Sequence, residues 1–134
     1  MFIKYNLMNS NLLIHFKRLV FYTINTFVKI LKRIIKTDNR VIISGYKSVT
    51  FTDNSAHLIL LMRTFGSSKI LWITDSLSLR NELIDKNFNA SLRSNFYAWY
   101  WAMKSSIHII CDAPNTSLPY LAAGSIKLNL WHGT

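Results

Sequence analysis

The sequence predicts an α/β fold, a parallel sheet with helices on both faces, preceded by one basic amphipathic helix. Three observations predict it. Leu13, Phe16, Val20, Ile24, Phe27, Leu31 and Ile34 recur at three- and four-residue steps, the period of a helix with a single apolar face. Beyond residue 40, short apolar runs of strand length alternate with longer helical patterns, which argues parallel strands covered on both sides. The last run, Ile126-Lys127-Leu128-Asn129-Leu130, has a period of two and leads straight into Trp131-His132-Gly133-Thr134. A rigid strand then delivers an imidazole, a glycine and a hydroxyl where open α/β sheets present reactive groups.

The totals suit one domain. A chain of 134 residues, half of them hydrophobic, can bury one core but not two. The formal charge is +10. Residues 1–40 hold eight Lys/Arg against one Asp, whereas residues 41–134 hold eight against five acids. The basic excess therefore belongs to the N-terminal arm, and an anionic surface is its expected partner. Cys111 is the only cysteine, so no internal disulfide forms and a reducing compartment is expected. The late, charge-interrupted apolar run does not read as a secretory signal.

In order, Leu12 to Lys36 reads as the amphipathic helix, with Arg18, Tyr22, Asn25, Lys29, Lys32, Arg33 and Lys36 opposite the apolar stripe. Its longest stretch free of basic residues, Leu19 to Val28, spans ten positions, about half of the roughly 20 that a spanning helix needs. The helix is expected to lie on a membrane. Phe16 and Phe27 suit the acyl boundary, and Arg18, Lys29, Lys32, Arg33 and Lys36 suit anionic headgroups. The other reading packs the stripe on the rest of the protein.

Thr37 to Arg40 reads as a linker between an arm, residues 1–40, and a domain, residues 41–134. Val41-Ile42-Ile43 is the first strand, ending at Ser44-Gly45. A helix capped by Asp53 or Asn54 runs to Phe65, with Gly66-Ser67-Ser68 as its stop. Lys69 to Thr74 is the second strand, Leu77 to Lys86 a helix capped by Asp75 or Ser76, and Ser94 to Lys104 a helix whose crowded aromatics predict burial on more than one side. Ile107 to Cys111 is the third strand, Pro114 to Gly124 a loop or short helix, and Ile126 to Trp131 the fourth strand, half-buried by its alternation.

Among residues that could carry chemistry, His132 stands first, because a histidine at a strand's carboxyl end can act as a general base near neutral pH. Asp53 and Asn54 read either as acceptor-side groups or as plain helix caps. Ser44 and Gly45 would border the cleft. His108, inside an apolar strand, reads as a satisfied core histidine, His57 as an ordinary helix residue, His15 as part of the arm's polar face, and Cys111 as a small buried hydrophobe. No metal-ligand cluster and no cofactor signature is visible. Nucleic acid is disfavoured as a partner, since the basic residues sit on a strongly apolar helix and no DNA-binding motif accompanies them.

Trp131-His132-Gly133-Thr134 after an apolar strand resembles the Trp-His-Gly-Thr-Pro signature of the CDP-glycerol glycerophosphotransferase family, which builds teichoic-acid-like polyol phosphate polymers. Ile43-Ser44-Gly45 followed by Phe51-Thr52-Asp53-Asn54-Ser55 resembles that family's Ser-x-x-Gly and Tyr-x-Asp-Asn-Pro segment, with Phe51 for the tyrosine and Ser55 for the proline. Ile107 to Ile110 with Cys111-Asp112, after Ala102 to Ser105, is a third match.

The resemblance implies the first of two Rossmann-like domains in a glycosyltransferase-like fold of GT-B type, peripheral on the cytoplasmic face of the membrane. It also implies that His132 deprotonates the hydroxyl of a lipid-linked acceptor for attack on a CDP-linked polyol donor, with Gly133 and Thr134 shaping the turn and offering hydrogen bonds. The family's Pro and Lys after the signature and its donor-binding domain have no counterpart in these residues. The chain is therefore expected to be an N-terminal portion, nearly inert alone; a non-catalytic membrane-binding remnant is the other expectation.

Overall fold

The computed structural model describes residues 2–66, 69–111 and 118–130, with side chains described from Leu12 onward except that of Asp53. Helix α1 (Phe2–Ile35) leads, followed by β1 (Asp38–Ser44), a 3-10 turn (Tyr46–Ser48), α2 (Asp53–Thr64), β2 (Ile70–Thr74), α3 (Leu77–Asp85), β3 (Ala90–Leu92), α4 (Phe96–Lys104), β4 (Ser105–Ile110) and β5 (Ile126–Asn129). The five strands form one sheet in the order β3-β2-β1-β4-β5. Every pairing is parallel, as in Rossmann-like folds. The predicted α/β class holds.

The sheet is buried on both faces at its centre, which is why its strands read as unbroken apolar runs. On one face Val41, Ile43 and Trp72 pack with Ile59 of α2 and with Leu79 and Leu83 of α3. On the other, Ile42, Leu71 and Ile73 pack with Ala98 and Ala102 of α4 and, half-buried, with Leu118 and Leu121. Burying one such Ile or Leu side chain stabilises the fold by ~1.5–3 kcal/mol.

Several elements differ from expectation. Asp38 already pairs with Ser105, so Thr37 to Arg40 is not a linker; Lys36, at φ 55°, turns the chain from helix to strand within two residues. Thr52, not Asp53 or Asn54, occupies the N-cap of α2. Ser76 does cap α3, accepting from the Leu79 N–H.

Strand β3 was not legible, because Ala-Ser-Leu carries no apolar run; it exists through its pairing with β2. Of the five aromatics of α4 only Trp101, half-buried, packs against the core; Phe96 is 77% exposed, and Tyr97, Trp99 and Tyr100 are exposed too. A nine-residue helix turns one stripe to the sheet, and here that stripe is Ala98 and Ala102, four apart and small enough for close approach, flanked by Trp101. Strand β5 is exposed along its whole length, because it is the sheet's edge.

Helix α1 docks by its C-terminal half. Val28 and Lys32 are buried, Asn25 and Ile35 half-buried, and Phe21 meets Tyr120 edge-on at 5.6 Å. Lys104 Nζ donates to Ile35 O at 2.8 Å and so caps the helix end. Of the apolar stripe, Leu31 is half-buried, while Leu13, Phe16, Val20, Ile24, Phe27 and Ile34 stay exposed. Lys32, expected on the polar face as a partner of anionic headgroups, is only 4% exposed. Its position around the helix axis, with Val28 four residues before it, points at the sheet.

Candidate functional site

All five strands run in the same direction, so one edge of the sheet gathers every carboxyl end. There Gly45 leaves β1 in an extended conformation (φ −85°, ψ −177°). No larger residue fits: a Cβ at this position would overlap Thr50 O and come within 2.8 Å of Trp72 Cζ2. The chain then folds back through two left-handed residues, Lys47 (φ 48°) and Ser48 (φ 57°). Neither is a residue type that signals such a turn.

That turn is stapled to the end of β2. Ser48 O accepts from Thr74 Oγ1 at 2.6 Å and from the Asp75 N–H at 2.7 Å. Thr74 Oγ1 in turn accepts from the Ser76 N–H at 3.1 Å, at the cap of α3. Arg93, just past β3, holds Asp75 in a fork, Nε to Oδ1 at 2.9 Å and Nη2 to Oδ2. The ends of β1, β2 and β3 are thus knitted into one polar rim that sequence reasoning missed; Thr74-Asp75-Ser76 after an apolar strand was its only trace.

The strand order reverses direction between β1 and β4, the switch point where open α/β sheets form a ligand crevice. Ile43 pairs with Ile109, so Ser44 stands level with Ile110. Ser44 is fully buried, and its Oγ has no hydrogen-bond partner among the described residues. It lies beneath the crevice and does not line its surface. On the far side of β4, the Leu130 N–H donates to Ile110 O at 2.7 Å and the Cys111 thiol donates to Leu130 O at 3.3 Å. The chain leaving β5 therefore emerges at the same edge, about 10 Å from β1 by two strand spacings.

Asn54, exposed on the first turn of α2, also belongs to this edge, as does the backbone of Asp53. His132, Gly133 and Thr134 lie outside the described residues. Phe51 packs on Trp72 and Phe88, with ring centroids at 4.7 and 5.4 Å, as part of the core rather than of the rim. Among the described residues no group of His, Cys, Asp and Glu could hold a metal ion.

Ionisation departs from the ordinary at the other, amino-terminal edge. Lys32 Nζ donates to Ser125 Oγ at 2.5 Å and to Ser105 O at 3.4 Å, and Ser125 Oγ donates to Ser105 O at 2.8 Å. Burial, with the nearby charge of Lys127, lowers the Lys32 pKa to about 8. His108 is buried beside it, with Nε2 3.4 Å from Ala102 O and Nδ1 unpartnered among the described residues. It is a core histidine, as expected, but only half satisfied. Burial first, then the charge on Lys32, pushes its pKa down to about 3, against the opposing effect of the Ala102 hydrogen bond. His108 is neutral at physiological pH.

Comparison with protein-family models, curated proteins and solved structures finds no match to this chain.

Proposed function

We propose that this chain is the acceptor-side, Rossmann-like portion of a CDP-glycerol glycerophosphotransferase-type enzyme, the first of two domains in a GT-B-type arrangement. It acts at the cytoplasmic membrane face in the synthesis of teichoic-acid-like or capsular polymers. The substrates are a CDP-linked polyol donor and a lipid-linked acceptor. The observation that carries the reading is the exit of β5: Leu130, hydrogen-bonded to Ile110 at the carboxyl edge, leads directly into Trp131-His132-Gly133-Thr134.

In this reading His132 takes the proton of the acceptor's terminal hydroxyl as its oxygen bonds to the donor's β-phosphorus. The bond from that phosphorus to the bridging oxygen breaks, and CMP leaves. Gly133 and Thr134 supply hydrogen bonds to acceptor or phosphate, and Asn54 and Asp53 stand at the mouth of the crevice. Positioning and charge stabilisation dominate phosphoryl transfer, so the donor-binding side is essential.

The exposed stripe of α1 supports peripheral attachment, with Phe16 and Phe27 entering the acyl boundary. No helix among the described residues is long and apolar enough to cross a membrane. The same unpartnered stripe favours a second reading, a non-catalytic protein held at the membrane surface.

Release of CMP from CDP-glycerol in the presence of a lipid-linked acceptor tests the choice, using the chain alone and joined to a donor-binding domain. Activity in the joined form that falls by ~10²- to 10⁴-fold in His132→Ala, with the circular dichroism spectrum unchanged, supports the enzyme. Absence of turnover in a folded joined form leaves the second reading.

A further inference from the structure

The end of α1 and the turn before β5 enclose an open cleft of about 590 Å³, lined by Lys29, Lys32, Arg33, Lys36, Thr37 and Gly124. It lies at the amino-terminal edge of the sheet, opposite the crevice, since Thr37 precedes β1 and Gly124 precedes β5. Four cations converge on it and no carboxylate lines it. Lys127 stands close enough to depress Lys32 electrostatically. Asp38, the acid nearest in sequence, is held by Arg40, whose Nε lies 3.1 Å away. Among the described residues no carboxylate reaches Lys32 within ion-pair distance.

Such an arrangement is electrostatically costly. A buried ammonium with only neutral partners carries an uncompensated desolvation penalty, and the charge of Lys127 adds repulsion. Helix-dipole complementarity accounts for basic residues in a last helical turn, yet Lys104 already satisfies the terminal carbonyl of Ile35. Gly124 keeps the wall open: it sits at φ +82°, and a side chain there would lie against Lys29.

We propose that this cleft binds a phosphate group. A phosphate's several acceptor oxygens suit three exposed Lys/Arg side chains, the Thr37 hydroxyl and the buried Lys32 ammonium together. Helix geometry indicates the source. Lys29 and Arg33 lie opposite the apolar stripe at 100° per residue, across a helix roughly 10 Å thick. A leaflet that takes up the stripe therefore leaves the cleft facing away from its headgroups. The phosphate is that of a soluble molecule, and the site is separate from any catalysis at the carboxyl edge. The proposal does not depend on the transferase reading.

Titration calorimetry of the full chain with inorganic phosphate and with pyrophosphate tests it, beside flotation with phosphatidylcholine vesicles with and without phosphatidic acid. Saturable pyrophosphate binding is expected, weakened about tenfold by Lys29→Ala and again by Lys36→Ala. Both residues are exposed, so the circular dichroism spectra stay unchanged, and phosphatidic acid should add nothing to vesicle binding that these variants remove. Binding seen only with phosphatidic acid, and lost in the same variants, keeps the site and overturns the soluble source. No binding in either format, or binding that both variants leave intact, overturns the site.

Discussion

Trp72 fills the space that a side chain at Gly45 would need: its ring edge lies 2.8 Å from where a Cβ would stand, with Thr50 O closing the other side. The first strand of the sheet is thereby locked against the second at the mouth of the crevice. Gly45→Ala should destabilise the protein by ~1–3 kcal/mol through overpacking. Urea unfolding checks this; an unchanged midpoint would mean that the turn from Tyr46 to Thr50 shifts freely.

His108 predicts an acid limb. Its pKa falls from the ordinary 6.5 to about 3 in the folded chain, so the unfolded state binds the extra proton between those values. The contribution of His108 to stability is complete above pH 6.5 and is lost as pH falls toward 3, at up to ~1.4 kcal/mol per pH unit. His108→Leu should flatten the stability curve in that window relative to the parent. An identical slope in parent and variant would remove His108 from the acid response.

Lys32 acts at the alkaline end with the same sign. Its pKa drops from 10.5 to about 8, so the unfolded chain holds the proton longer and stability rises with pH from 8 to 10.5. Lys32→Met should abolish that rise. It should also raise the pKa of His108, whose protonation the Lys32 charge opposes. A nuclear magnetic resonance titration of the His108 ring in the variant measures the second effect, and an unmoved pKa would contradict it.

The aromatic helix makes a reversed prediction. Phe96→Ser should change stability by less than about 0.5 kcal/mol, because the ring is largely in water. Ala98→Leu, at a fully buried position, should cost ~1–3 kcal/mol. Thermal unfolding of the pair decides it, and the opposite ranking would return the aromatics to the core.

The stripe of α1 is testable by flotation. Phe16 and Phe27 are 63% and 61% exposed, so Phe16→Ser with Phe27→Ser leaves the fold intact and should abolish most binding to anionic liposomes. Retained binding would assign attachment to charge alone.

What the sequence disclosed follows burial. Val41-Ile42-Ile43 and Ile70 to Ile73 are covered on both faces, so they announced themselves as apolar runs, and with them the parallel sheet. Ala90-Ser91-Leu92 did not, because its place depends on its partner strand. The inward face of α1 was hidden by Lys32, a residue type that periodicity assigns to solvent and that Ser125, 93 positions away, makes tolerable inside. Aromatic density in α4 misled for all but Trp101, because nothing in the local pattern reveals that two alanines centre the contact stripe. At the candidate site, Ser44-Gly45 and the exit of β5 were legible as strand ends. The rim of Ser48, Thr74, Asp75 and Arg93 was not, since its members meet only through the strand order.

Helix α1 is continuous, and about 50 Å long at 1.5 Å per residue over its 34 residues. Val28 and Lys32 key its last turns into the domain, so it cannot roll about its own axis. The azimuth of the exposed stripe is consequently registered to the sheet, like a hand fixed on its dial. Any surface that accepts Phe16 and Phe27 thereby sets one heading for the carboxyl edge, without a second anchor.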